Sequence, residues 1–215
     1  MSHKIKIKLA LTPWFFHPSS QELVTSSATD ASYQFQIRAA LPADLTGVSQ
    51  IIAESFYSQQ GLWGWAFPLL RLGIYEDLRH RLTSSAPHHI YLVAVEKTTD
   101  VSDNLMGTVE LTVRFSDSWT QVGKSFPYVS NLAIATKYRR QGVASGLLKA
   151  CEKVALSWGF QHLYLHVLDN NHQARQLYFK QGYRVHKVES HWNTFLLRRS
   201  SQIFLHKQLS ADLIL

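Results

Sequence analysis

One segment, residues 126–188, constrains the fold more than any other because strand and helix patterns alternate along it. Residues 142–158 carry apolar side chains every three to four positions, which predicts an amphipathic helix that Gly159 ends. The stripe comprises Val143, Ala144, Leu147, Leu148, Cys151, Val154 and Ala155. Strand patterns precede and follow this helix over residues 126–135 and 163–167, and another helix pattern covers residues 171–181.

The rest of the chain extends this alternation. Residues 34–38 alternate polar and apolar side chains, helix patterns cover residues 42–56 and 69–82, and strand patterns cover 90–95, 105–115, 183–188 and 203–207. The predicted order is β, α, α, β, β, β, α, β, α, β, β, which indicates the α/β class with a mixed sheet. We expect one domain over residues 34–209, a flexible extension over 1–33 and a short tail over 210–215.

Composition and charge exclude several classes of protein. No apolar run approaches the roughly 18 residues of a membrane helix. The single cysteine, Cys151, excludes an intrachain disulfide and fits a reducing compartment. We therefore predict a cytoplasmic protein, or one of the plastid stroma if the extension is a transit peptide. No histidine pair on a predicted helix has a third ligand nearby, so no metal site is predicted.

The net charge of +7 is unevenly distributed and raises nucleic acid as a partner. Residues 1–136 hold 10 basic and 11 acidic side chains, a net −1, whereas residues 137–215 hold 12 and 4, a net +8. No helix-turn-helix or RNP-type aromatic motif accompanies this charge, so a nucleic-acid function is disfavoured.

The loop before the long helix is a candidate anion site. Arg139, Arg140, Gln141 and Gly142 connect a strand to a helix N-terminus, where unpaired backbone N–H groups and the helix dipole favour negative charge. Small side chains at Gly142 and Ala144 would let a pyrophosphate approach the backbone. The spacing matches neither the dinucleotide fingerprint nor the P-loop. An ordinary helix start with solvated arginines would have the same sequence.

Two motifs then resemble those of the GCN5-related N-acetyltransferase (GNAT) superfamily. Arg139-x-x-Gly142-x-Ala144 is similar to its acetyl-CoA signature. Asn171-x-x-Ala174-x-x-Leu177-Tyr178-x-x-x-Gly182-Tyr183 is similar to a second signature at the expected distance. The resemblance covers residues 35–209 and is greatest to protein N-terminal and plastid-type or cyanobacterial members.

The resemblance implies a GNAT fold: a mostly antiparallel mixed sheet with flanking helices, whose central parallel strands, 132–135 and 163–167, splay apart. It also implies acetyl-CoA as the cosubstrate. The residues that would bind it are Leu132, Ala133, Ile134, Arg139, Arg140, Gln141, Gly142, Val143, Ala144, Ser145, Asn171, His172, Ala174 and Tyr178.

The resemblance also implies catalytic roles. Tyr178 would donate a hydrogen bond or proton to the CoA sulfur, although a core tyrosine would fit the same apolar stripe. Tyr128 and His166 match positions that some N-terminal acetyltransferases use to deprotonate the amine, although His166 could be purely structural. Glu110 is the rival base, or else a solvated strand residue.

The acceptor is predicted from the pKa of amines. An α-amino group is less basic than a lysine by about 2.5 pKa units, or about 3.4 kcal/mol, so a weak base suffices for it. We expect a protein N-terminal amine, with lysine and small aryl-alkylamines as alternatives and a non-catalytic acyl-CoA-binding module as another. The resemblance places the acceptor between loops 59–68 and 189–202, which carry Trp63, Trp65 and Trp192.

Overall fold

The computed structural model describes residues 35–56, 67–83, 87–96, 104–115, 125–189 and 201–210. The strands are β1 (Phe35–Ala39), β2 (His89–Glu96), β3 (Leu105–Phe115), β4 (Ser125–Ile134), β5 (His162–Leu168), β6 (Arg184–Glu189) and β7 (Gln202–Gln208). The helices are α1 (Leu45–Phe56), α2 (Phe67–Thr83), α3 (Val143–Ser157) and α4 (His172–Lys180).

The seven strands form one mixed sheet in the order β1-β2-β3-β4-β5-β7-β6. Every neighbouring pair is antiparallel except β4 and β5, which are parallel and are connected through α3. The predicted fold class and order of elements are confirmed. Most predicted boundaries differ from the observed ones by one or two residues.

The helices lie on both faces of the sheet. The apolar stripe of α3, including the fully buried Leu147, Leu148 and Cys151, packs against one face. On the other face α1 and α2 pack over β2, with Ile52, Leu78 and similar side chains against it. The sequence periodicity predicts which side of each helix is buried, because burial of an apolar helix face is the main stabilising term for such an element.

Two predictions fall outside the described residues. The proposed extension and tail lie almost entirely there, so the division of the chain into extension, domain and tail stays a prediction. The tryptophans of the two proposed acceptor loops, Trp63, Trp65 and Trp192, also lie there.

Candidate active site

The two parallel strands at the centre of the sheet separate after a very short contact. Only Tyr128 with Tyr164 and Val129 with Leu165 are paired, although β4 continues to Ile134. The β3–β4 register shifts between Thr108 and Glu110, where β4 has an extra residue, and Asn131 has a φ of +52°. A β-bulge of this kind bends its strand, which accounts for the divergence of β4 from β5.

Beyond the bulge, alternate backbone groups of β4 face the gap. The N–H of Ala135 donates to Met106 O at 2.9 Å, so residues 135 and 133 face β3. By the alternation of an antiparallel ladder, Leu132 and Ile134 turn their N–H and C=O groups towards β5, which no longer pairs with them. The Ile134 carbonyl accepts a hydrogen bond from Arg139 Nε at 3.2 Å. Ala133, also predicted to bind the cofactor, has a side chain that packs beneath α1.

The loop from Arg139 to Ser145 has the geometry of an anion site. Arg140 and Gly142 have positive φ values of 64° and 81°. The first amide of this region to donate within the helix is that of Gly146, to Gly142 O at 3.0 Å. Among the described residues, none of the N–H groups of residues 140–145 donates to a backbone carbonyl. Apart from its neighbours in the chain, no heavy atom of the described residues lies within 4 Å of a Cβ built on Gly142, so the backbone there is open to a ligand.

Two side-chain hydrogen bonds connect this loop to neighbouring elements. Gln141 Nε2 donates to Lys137 O at 3.0 Å, and Ser145 Oγ accepts from Gln181 Nε2 of the α4 C-terminus at 3.2 Å. Val143 is buried in the core, whereas Ala144 is half-buried. The predicted phosphate-binding residues are consecutive in the chain, and these two contacts connect them to the turn after β4 and to the C-terminus of α4.

The second motif forms α4 and its cap. Asn171 Oδ1 accepts a hydrogen bond from Ala174 N at 3.1 Å, which makes Asn171 the N-cap of the helix. His172 is exposed, and Ala174 packs partly buried against the core. The structure thus gives Asn171 and Ala174 local structural roles, while their predicted contacts with the cosubstrate stay predictions.

Tyr178 lies on the buried side of α4. Burial raises the pKa of its phenol, and the neighbouring Tyr128 and Cys151 add to the rise. A phenol with a raised pKa stays protonated at neutral pH and can donate. Cys151, part of the predicted apolar stripe of α3, has no exposed surface, and burial raises its thiol pKa, which supports a structural role over a nucleophilic one.

Tyr128 and His166 are in direct contact where β4 and β5 begin to separate. The Tyr128 hydroxyl lies 2.9 Å from His166 Nδ1. The His166 ring stacks on Phe204 with centroids 4.5 Å apart. Leu165 and Val167 belong to the core beneath α3, so His166 points to the opposite face, as the alternation of a strand predicts. The sequence placed these two residues on different strands, and the structure brings them together.

Glu110 lies on the same face and is not a solvated strand residue; that expectation was wrong. Its side chain is 2% exposed and contacts four donors. Oε1 lies 2.8 Å from His89 Nε2 and 3.2 Å from Arg81 Nη1. Oε2 accepts from Ser130 Oγ at 2.9 Å and from Asn131 Nδ2 at 2.8 Å. These contacts hold the bulge of β4 against α2 and β2.

The electrostatics of Glu110 argue against a role as base. Burial alone would raise its pKa, but hydrogen bonds with His89 and Ser130 and the charge of Arg81 outweigh burial and lower the pKa to about 2. A carboxylate so stabilised as an anion has little affinity for the proton of an amine. The structure instead gives Glu110 a positioning role at the bulge.

The sequence did not predict the partners of Glu110, nor one further contact of the pair formed by Tyr128 and His166. Arg81, His89 and Asn131 come from three elements that only the folded sheet brings together. Ser130 is two residues after Tyr128, so strand alternation could have placed it on the same face. Arg114 was also missed; its Cζ lies 3.6 Å from the centroid of the Tyr128 ring.

Comparison with known proteins identifies the family. The model of the acetyltransferase (GNAT) family matches residues 48–183. The chain belongs to this family. It is 29% identical over 178 residues to "GCN5-related N-acetyltransferase 10, chloroplastic" of Arabidopsis thaliana, covering 78% of this chain and 68% of that protein. The predicted family, the enzyme class of acyltransferase and acetyl-CoA as cosubstrate are thereby confirmed.

Solved structures show the same fold. Arabidopsis thaliana NAA60 in complex with a bisubstrate analogue superposes with a TM-score of 0.61 at 19% identity, covering 82% of this chain and 99% of the other. The PaiA N-acetyltransferase of Thermoplasma acidophilum in complex with coenzyme A superposes with a TM-score of 0.60 at 19% identity, covering 81% and 98%.

The described residues lack two further features. Within the described ranges, no group of three or more His, Cys, Asp or Glu side chains could hold a metal ion. In the same part of the chain, no helix has the length and apolar character needed to cross a membrane.

Proposed function

We propose that this GNAT enzyme transfers the acetyl group of acetyl-CoA directly to a primary amine of a polypeptide, either an N-terminal α-amine or a lysine. The observation that carries the proposal is the contact of the Tyr128 hydroxyl with His166 Nδ1, 2.9 Å long, at the point where the central strands part. This contact supplies an acceptor for the amine proton beside a gap bordered by the freed backbone of β4.

The proton path follows from the hydrogen-bond capacity of the two side chains. With His166 neutral and protonated on Nε2, Nδ1 accepts the Tyr128 hydroxyl hydrogen. The Tyr128 oxygen can then take a proton from the attacking nitrogen while its own proton passes to Nδ1. A neutral imidazole becomes an imidazolium, and the amine nitrogen is left with a free electron pair.

Tyr178 serves the other end of the reaction. When the thioester breaks, the departing sulfur gains negative charge and needs a donor. The Tyr178 phenol can supply a hydrogen bond, because burial raises its pKa and keeps it in the protonated form. The donor Tyr178 and the proton-accepting pair of Tyr128 and His166 therefore lie on different elements, so each can hold the protonation state that its step requires.

The cosubstrate would be bound by backbone more than by side chains. The N–H groups of residues 140–145, which donate to no backbone carbonyl of the described residues, and the guanidinium of Arg140 suit a pyrophosphate. The groups of Leu132 and Ile134 that face the gap suit the amides of a pantetheine arm. The Ile134 carbonyl, which accepts from Arg139, would be shared or released on binding.

The choice of acceptor rests on basicity. A tyrosine–histidine pair is a modest base, which matches the less basic α-amine better than a lysine. Glu110, with its lowered pKa, adds no base strength to the pair. The name of the chloroplastic relative, an N-acetyltransferase, supports an amine acceptor.

The deciding experiment is mass spectrometry of a peptide library incubated with acetyl-CoA and the purified full chain. The library holds peptides with a free N-terminus, peptides with a blocked N-terminus and one lysine, and small aryl-alkylamines. We expect acetylated free N-termini first and lysine more slowly. Modification of aryl-alkylamines alone would replace the polypeptide acceptor, and binding of acetyl-CoA without transfer to any amine would establish a non-catalytic module.

The compartment is a separate proposal. The chloroplastic relative supports the plastid over the cytoplasm. Import of the radiolabelled full chain into isolated chloroplasts, followed by protease treatment, tests it: a protected product supports the plastid, and complete digestion supports the cytoplasm.

A further inference from the structure

The guanidinium of Arg114 lies over the ring of Tyr128, the tyrosine of the proposed catalytic base. Arg114 is near the end of β3, and its Cζ is 3.6 Å from the centroid of the Tyr128 ring, a cation–π contact. The residue is exposed. Within the described ranges no hydrogen bond or ion pair of its guanidinium is found.

The position of Arg114 follows from the register of β3 and β4. Arg114 is paired with Phe126, and Thr112 with Tyr128, so Arg114 and Tyr128 lie diagonally on one face. This is the face to which His166 and Glu110 also point, opposite α3. An acceptor whose amine reaches the Tyr128 oxygen therefore has the guanidinium of Arg114 within a few Å of its first residues.

The strands around Tyr128 offer little competing negative charge. Glu110 is the single acidic residue in the sequences of β3, β4, β5 and β7. Its oxygens are already taken by His89, Arg81, Ser130 and Asn131. An unpaired guanidinium with planar, fork-shaped donors is the group that best recognises a carboxylate.

We propose that Arg114 is a specificity-determining residue that binds a carboxylate of the acceptor polypeptide, so that the preferred substrates carry Asp or Glu close to the acetylated amine. The inference rests on the proposed polypeptide acetyltransferase function. A carboxylate is the anion that an unmodified polypeptide supplies, and its contact with Arg114 would place the amine over the Tyr128 hydroxyl. Because the contact is partly open to solvent, its contribution is modest and screened by salt.

The test compares matched peptides in which each of the first few positions after the N-terminal residue carries Asp or Asn, or Glu or Gln. For the full-length protein we expect kcat/KM to be about 3- to 10-fold higher for the acidic member of one such pair. The preference should shrink in 0.5 M salt, at which the Debye length falls to about 4 Å.

Three variants separate recognition of charge from a structural effect. Arg114→Gln should bring the acidic-to-amide ratio to about one, and Arg114→Glu should favour peptides with Lys at the same position. Lys153→Gln removes one positive charge from an exposed position on α3, beneath the opposite face, and should retain the ratio of the unaltered protein. Melting temperatures show whether each variant is folded.

The outcomes are distinguishable from failure of the proposed function. Equal turnover of acidic and amide peptides, or a preference that survives Arg114→Gln, overturns the role of Arg114 and leaves the acetyltransferase proposal intact. Absence of transfer to every peptide overturns both.

Discussion

Gly142 and Gly159 lie at opposite ends of α3, and both have positive φ angles, +81° and +86°. A Cβ built on either residue meets no heavy atom of the described part of the chain within 4 Å, apart from those of its chain neighbours. The two positions are therefore alike in backbone strain and in space, but only Gly142 belongs to the proposed phosphate loop.

This likeness gives a matched test of that loop. Alanine at either position forces a positive φ on a residue with a Cβ, which costs about 1–2 kcal/mol. We expect similar losses of melting temperature for Gly142→Ala and Gly159→Ala without ligand. Coenzyme A should then stabilise Gly159→Ala as it does the unaltered protein, and Gly142→Ala or Gly142→Glu much less. Equal stabilisation of all the variants by coenzyme A would show that phosphate binds elsewhere.

Tyr128 and His166 should act as one unit. Tyr128→Phe and His166→Asn each remove one partner of the 2.9 Å contact. We expect each to lower kcat/KM by about 100-fold and the double variant to lose little more, because the second change removes a group that no longer has its partner. Steady-state kinetics with one peptide measures this. Losses that multiply would mean that the two side chains act independently.

Tyr178 and Tyr183 form a second matched pair. Their rings are 5.7 Å apart and both side chains are buried. Tyr178→Phe should lower turnover by about 10- to 1000-fold with little loss of coenzyme A binding. The Tyr183 hydroxyl is buried and has no hydrogen-bond partner among the described residues, so Tyr183→Phe should leave turnover unchanged. A Tyr178→Phe enzyme of normal activity would remove Tyr178 from the mechanism.

Glu110 should make stability depend on pH in the acid range. Its pKa falls from 4.5 to about 2 on folding, so its contribution is fully present above pH 4.5 and is lost as the pH falls towards 2. The shift corresponds to about 3 kcal/mol. Urea unfolding at pH values from 7 to 3 should therefore show a smaller loss of unfolding free energy for Glu110→Gln than for the unaltered protein. Glu54→Gln, at an exposed position on α1, is the control and should follow the unaltered protein.

The sequence predicted the elements that depend on local periodicity and motif. The stripe of α3 and the glycines at its ends are determined by neighbours in the chain, so the order of residues alone was enough to predict the helix and the loop before it, whose binding of phosphate stays a prediction. Strand alternation likewise accounts for the face of the sheet to which the His166 side chain points.

The environment of Glu110 could not be predicted in the same way. Its burial depends on Arg81 from α2, His89 from β2 and Asn131 at the bulge, and no local pattern connects residues so distant in sequence. A single glutamate in a strand is expected to be exposed to solvent unless the register of the neighbouring strands is known. Arg114 was missed for the same reason, since its contact with Tyr128 requires the β3–β4 register.

The bulge of β4 leaves the central strands joined by only two residue pairs. The sheet therefore consists of a four-stranded part, β1 to β4, and a three-stranded part, β5 to β7. The two parts are joined by this short paired region and by the connection through α3. A ligand whose amide groups hydrogen-bond to Leu132 and Ile134 would lengthen that paired region, because it would take the place of the missing neighbour of β4. On this proposal the cosubstrate would stabilise the fold as well as take part in the reaction, and release of coenzyme A would remove that stabilisation.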